Sequence, residues 1–131
     1  MTRSRYRTID PWKGTEYPKK VGTVSKLRVR IFDTLEDLHQ YAQSPQNSGM
    51  ACVIHNDLND QCEILFSKRH IDENTIAHEA THAALWVLKS ERKRHQITIG
   101  FDEEPIAYLV GSITHQICRF LESIFKEKPT E

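Results

Sequence analysis

One stretch, from about Asp72 to Ser90, limits the possible folds of this chain more than any other, because its apolar residues recur three and four apart. Ile76, Ala80, Ala83, Ala84, Val87 and Leu88 cover one arc of a helical wheel, the pattern of a helix laid on a core. A different arc carries His78, Glu79, His82 and Trp86, so a His-Glu-x-x-His run falls inside the predicted helix. Residues four apart on a helix stand one above the other, which lets both imidazoles reach a single ion. Glu79 is rotated by about 100° from His78, placing its carboxylate beside such an ion as a base. Neutral imidazole is a good zinc ligand, and two of them leave room for a third ligand and a water.

The segments before this helix read as a small sheet. Leu27, Val29 and Ile31 alternate between Val24 and Phe32, the period of a half-buried strand. Thr34, with Asp37 three residues on, predicts the N-cap of a short helix through Leu35, Leu38 and Tyr41. Met50 to His55 and Cys62 to Ser67 read as two strands of an antiparallel hairpin, joined by the polar turn Asn56 to Asp60. Ser44 to Gly49 reads as a loop. After the motif helix, the basic stretch Glu91 to His95 leads into a short extended piece, Ile97 to Gly100. A last helix is predicted from near Asp102 to about Lys126, with Pro105 in a first turn that needs no intrahelical donor. The order β-α-β-β-α-α describes an α+β domain, with about three strands packed against the motif helix and a C-terminal helix.

Length and composition set the outer limits. A chain of 131 residues accommodates one core, and no apolar run is long enough to cross a bilayer. Residues 1–23, with Pro11, Gly14, Pro18 and Gly22 among charges, read as a basic extended arm that Trp12 and Tyr17 pin to a single domain over 24–131. Residues 1–30 hold nine Lys or Arg against Asp10 and Glu16, a bias that fits a solvated tail or contact with nucleic acid or an acidic partner. The N-terminal stretch lacks the apolar segment of a secretory signal, so a cytoplasmic location is expected. Three cysteines, Cys52, Cys62 and Cys118, with no Cys-x-x-Cys pair, read as buried reduced thiols, and Cys52 and Cys62 as able to face each other across the hairpin.

Three residues are candidates for a third ligand: Glu103, Glu104 and His95. On the last helix Ile106, Leu109, Val110, Ile113, Ile117, Phe120, Leu121 and Ile124 form one apolar stripe. Glu104 projects away from it, toward a face of small residues that includes Ala107, Gly111 and Cys118. If that face meets Ala80, Ala83 and Ala84, the helices approach closely and Glu104 is carried to the metal; Glu103 falls at the edge of the stripe. Glu104 is therefore preferred.

His78-Glu79-x-x-His82 followed by Glu104-x-x-Ala107 resembles the gluzincin arrangement, in which that Glu is the third zinc ligand. The runs Ile76 to Ala83 and Glu104 to Gly111 are similar to small zincin-like proteins often encoded by bacteriophages and prophages, and distantly to minimal metallopeptidases of the ImmA/IrrE type. The resemblance covers about residues 71 to 117; before it, only the order of elements agrees. It implies a minimal zincin-like fold, bound Zn2+, a protein or peptide substrate and, for a phage-encoded protein, the bacterial host cytoplasm. His82-Ala83-Ala84-Leu85-Trp86 with His95 thirteen residues beyond His82 also resembles SprT-like proteases that act near DNA. Against that reading, Gln96 stands where those proteins usually carry glycine, and His95 sits among Lys and Arg.

The expected chemistry follows from the resemblance. Zinc held by His78, His82 and Glu104 polarises a water and a substrate carbonyl, and Glu79 takes the water's proton and passes it to the leaving amine. Tyr108, one turn after Glu104, is a candidate oxyanion donor, with a packing role as its alternative. His115, two turns further, is a candidate for support of the site, with a partly exposed helix histidine as the favoured alternative. A zinc-stabilised interaction module without turnover is the other reading of the same residues.

Overall fold

In the computed structural model, residues 4–14, 26–42, 51–56, 61–95 and 103–126 are described. They form β1 (Ser4–Ile9), β2 (Lys26–Phe32), α1 (Leu35–Ala42), β3 (Ala51–Asn56), β4 (Gln61–Ser67), a 3-10 turn (Lys68–His70), α2 (Glu73–His95) and α3 (Glu103–Phe125). The class is α+β, as expected. The sheet has four strands, not about three, in the order β1-β2-β4-β3. β1 pairs antiparallel with β2, β2 parallel with β4, and β4 antiparallel with β3.

The additional strand is β1. Ser4–Ile9 lies within the stretch read as an extended arm, and only Ile9 is buried along it. Apolar periodicity could not announce such a strand. Backbone pairing holds it, and Arg7 reaches α3, donating to Ser123 Oγ and lying over the Phe120 ring. The chain then turns at Asp10, whose side chain and carbonyl accept the Trp12 and Lys13 amides, and Gly14 adopts φ +77°, which favours glycine. Trp12 enters the core, and its indole N–H donates to buried Glu91 on α2 at 2.8 Å. Gln116 and Ser112 of α3 donate to the Asp10 and Lys13 carbonyls. Residues 4–14 are thus built into the domain; Tyr17 lies outside the described residues.

Alternation in β2 places Leu27, Val29 and Ile31 under α2 and α3, all buried. Cys62, Ile64 and Phe66 of β4 join them there. On the opposite face Phe32, Leu65 and Cys52 pack with Leu38 of α1 into a second, smaller core. Covered on both faces, β4 reads as a nearly continuous apolar run. Cys52 and Cys62 therefore belong to different cores on opposite faces, and in register Cys52 lies opposite Leu65 and Cys62 opposite His55. The expected facing pair does not form.

Local signals hold at the helix starts. Thr34 Oγ1 accepts the Asp37 amide at 3.1 Å, and Asp72 Oδ1 accepts the Thr75 amide at 2.7 Å. The Thr75 amide, helped by the Thr75 hydroxyl and the Asn74 amide, lowers the Asp72 carboxyl below its ordinary value. Glu91 to His95, expected as a connector, continue α2 instead. Asp102, the extended piece 97–100 and the hairpin turn 57–60 lie outside the described residues. Among the described residues no helix is long and apolar enough to cross a membrane.

Candidate metal centre

α2 lies over β3 and β4, and α3 beside it over β1. The helix starts at Asp72 because its carboxylate caps the free amides of the first turn, and its buried arc of Ile76, Ala80, Ala83, Ala84, Val87 and Leu88 seats it on the sheet. That seating turns His78 and His82 outward, in the second and third turns, where both are exposed. Their Nε2 atoms stand 3.3 Å apart, with ring centroids at 4.8 Å and planes at 73°.

The separation bears on what the pair can hold. Two nitrogens bound tetrahedrally at about 2.0–2.1 Å from zinc stand about 3.3 Å apart, so the spacing of the two imidazoles matches that of two ligands on one ion. Without an ion, the same separation suits one N–H donating to the other ring nitrogen. A proton and a cation therefore compete for one place.

Glu79 differs from its neighbours in burial. It is 6% exposed, whereas the His78 side chain is 67% exposed, and its Oε2 lies 3.8 Å from His78 Nε2. Burial pushes the Glu79 carboxyl above the usual carboxylate range, and the histidines, His78 more than His82, pull it partly back. A carboxylate shifted this way accepts and returns a proton nearer neutral pH, the property a general base needs. The helical wheel put Glu79 in one arc with the histidines; packing separates them into an exposed pair and a buried carboxylate. Thr81, between the histidines, donates to the Ala77 carbonyl at 2.8 Å and is occupied by its own helix.

On the β3 side, His55 stacks against Trp86, with centroids 6.3 Å apart and planes at 29°. Trp86 is one turn after His82, so His55 borders the motif's flank. Sequence reasoning assigned His55 no role, although alternation with Ala51 and Val53, which pack on the α2 core, marks its face.

The remaining candidates are carried on α3. The Lys68 ammonium lies 5.5 Å from the centre of the Phe125 ring, so the end of α3 meets the start of α2 and the helices run antiparallel. Glu104 thus begins α3 beside the later turns of α2, while the histidines occupy its second and third turns. The side chains of Glu103, Glu104 and His95 lie outside the described residues. The small-residue contact expected to bring Glu104 across is not formed: Ala107 and Gly111 are exposed, and nothing lies within 4 Å of the position a Gly111 Cβ would take. α3 is seated instead by Leu109, Ile113, Ile117, Phe120, Leu121 and Ile124. A continuous apolar stripe buries far more area than three small residues, and it decides the helix's rotation. Tyr108 is half-buried on α3 and His115 is exposed. Among the described residues no cluster of three or more His, Cys, Asp or Glu side chains is arranged to hold a metal ion.

No protein-family model, curated protein or solved structure matches the chain.

Proposed function

We propose that this α+β domain is zincin-like and serves as a zinc-dependent peptidase, with His78 and His82 as ligands and Glu79 as the base. The observation that carries the reading is the 3.3 Å Nε2–Nε2 separation beside a buried carboxylate of raised pKa. Zinc, when bound, supplies Lewis-acid polarisation of a water and of a substrate carbonyl. The chain supplies the rest. His78 and His82 present both Nε2 lone pairs only as neutral rings protonated at Nδ1. Glu79 holds the proton removed from water and returns it to the departing amine.

Glu104 is the third ligand that the resemblance supplies. Zinc content of Glu104→Ala, measured against His82→Ala and His95→Ala, decides the assignment. One equivalent of zinc in the purified protein, with cleavage of a peptide library that Glu79→Gln abolishes, is the outcome expected. A zinc-free protein after incubation with excess zinc overturns the reading.

The outward setting of the histidines favours a second reading, a zinc-stabilised interaction module. A metal on an exposed helix face has little surrounding surface to exclude water from a substrate. Retained zinc with no cleavage of any library peptide selects this reading.

A further inference from the structure

Two arginines of β2 and an aromatic residue of β1 share one surface. In the β1–β2 ladder Tyr6 pairs with Arg30 and Thr8 with Arg28, so all four project from the face opposite α2 and α3. Tyr6 is 56% exposed, and both guanidiniums lie against its ring, with Arg28 Cζ 4.7 Å and Arg30 Cζ 4.8 Å from the centroid. Glu63 of β4 holds the two arginines, Arg30 at 2.9 Å and Arg28 at 3.8 Å, and also accepts the Tyr41 hydroxyl at 2.6 Å. α1 packs over β2 and β4 and leaves the β1 side of this face exposed.

We propose that this face binds single-stranded nucleic acid, with a base stacked on the exposed Tyr6–arginine cluster and a phosphate on Arg28. An exposed ring with guanidiniums over it suits stacking without sequence preference, because every base has a π-face and a guanidinium plane stacks on it as well. Arg28 is suited to phosphate, since a guanidinium has five N–H donors and this one, 39% exposed, is held at 3.8 Å by Glu63. One negative charge on Glu63 against Arg28 and Arg30 leaves the cluster positive, whereas Arg5 and Arg7, paired with Ile31 and Val29, belong to the other face. Next to Arg28 a cavity of about 260 Å³, bordered by Thr8, Tyr41 and Ile54 and reaching Leu27 and His55, offers an apolar wall for a second base. Tyr6 and Arg28 lie across the sheet from the helix that carries His78 and His82.

The test is fluorescence anisotropy of the full chain with labelled oligo-dT, oligo-rU and a duplex of equal length, titrated over a salt series. Binding to the single strands over the duplex is expected, weakened about tenfold or more by Tyr6→Ala. Arg28→Ala should lower the salt slope by about one. His78→Ala/His82→Ala should bind unchanged, which separates this surface from the metal reading. Circular dichroism of Tyr6→Ala checks the fold, and Tyr6→Phe should restore binding. No binding at low salt, equal binding to duplex, to polyglutamate or to anionic vesicles, or indifference to Tyr6→Ala overturns the proposal.

Discussion

Adding zinc to the metal-free protein should raise its melting temperature, and His82→Ala should remove that rise. The two Nε2 atoms already stand 3.3 Å apart, the spacing of two ligands on one ion. A ligand that binds only the folded state at about a hundred times its Kd stabilises it by about 2.7 kcal/mol. For a chain of 131 residues, an unfolding entropy of about 2.1 cal/mol/K per residue converts this to roughly 10 °C. The measured rise falls below that to the extent that the unfolded chain, with seven histidines and three cysteines, also binds zinc. Thermal unfolding followed by circular dichroism, with zinc and again with a chelator, gives the shift. His82→Ala keeps all three cysteines and changes an exposed side chain, so its metal-free melting point should stay near the parent's. A parent protein that shows no shift refutes the reasoning, as does a shift undiminished in the His78→Ala/His82→Ala variant.

Three further outcomes follow from the same geometry. Glu79→Gln should retain zinc and, without metal, gain stability over the parent as pH rises. The folded Glu79 carboxyl holds its proton to higher pH than the unfolded chain does, so the parent's stability falls as pH climbs through that raised value; parallel melting curves of parent and variant from pH 4 to 7 would refute this. Trp12→Phe removes the 2.8 Å donor to buried Glu91 and should cost about 1–3 kcal/mol in urea unfolding, whereas an arm outside the core would leave the midpoint unmoved. Cys62, its thiol pushed up to about 12 by burial and then by the Glu63 charge, should resist alkylation at pH 8 until the protein is unfolded. Mass spectrometry after oxidation should also find no Cys52–Cys62 bond, since the two lie on opposite faces of the sheet.

What could be read without coordinates was whatever depends on neighbours a few residues apart. The Thr34 cap, the β3–β4 hairpin, the extent of α3 and the stacking of His78 over His82 all follow from local geometry, and all appear as expected. The metal reading itself rests on such spacing, four residues on a helix.

Long-range packing decided the rest. β1 has no apolar alternation, so it becomes a strand only because β2 offers an edge and α3 a partner for Arg7. Glu79 became a buried carboxylate, distinct from two exposed histidines, through tertiary packing that no wheel displays. The rotation of α3 was set by which of its faces buries more apolar surface, and that choice left Ala107 and Gly111 in solvent. Spacing along a helix fixes which side chains share a face; only the surrounding core determines which face is covered, and therefore which charges are desolvated.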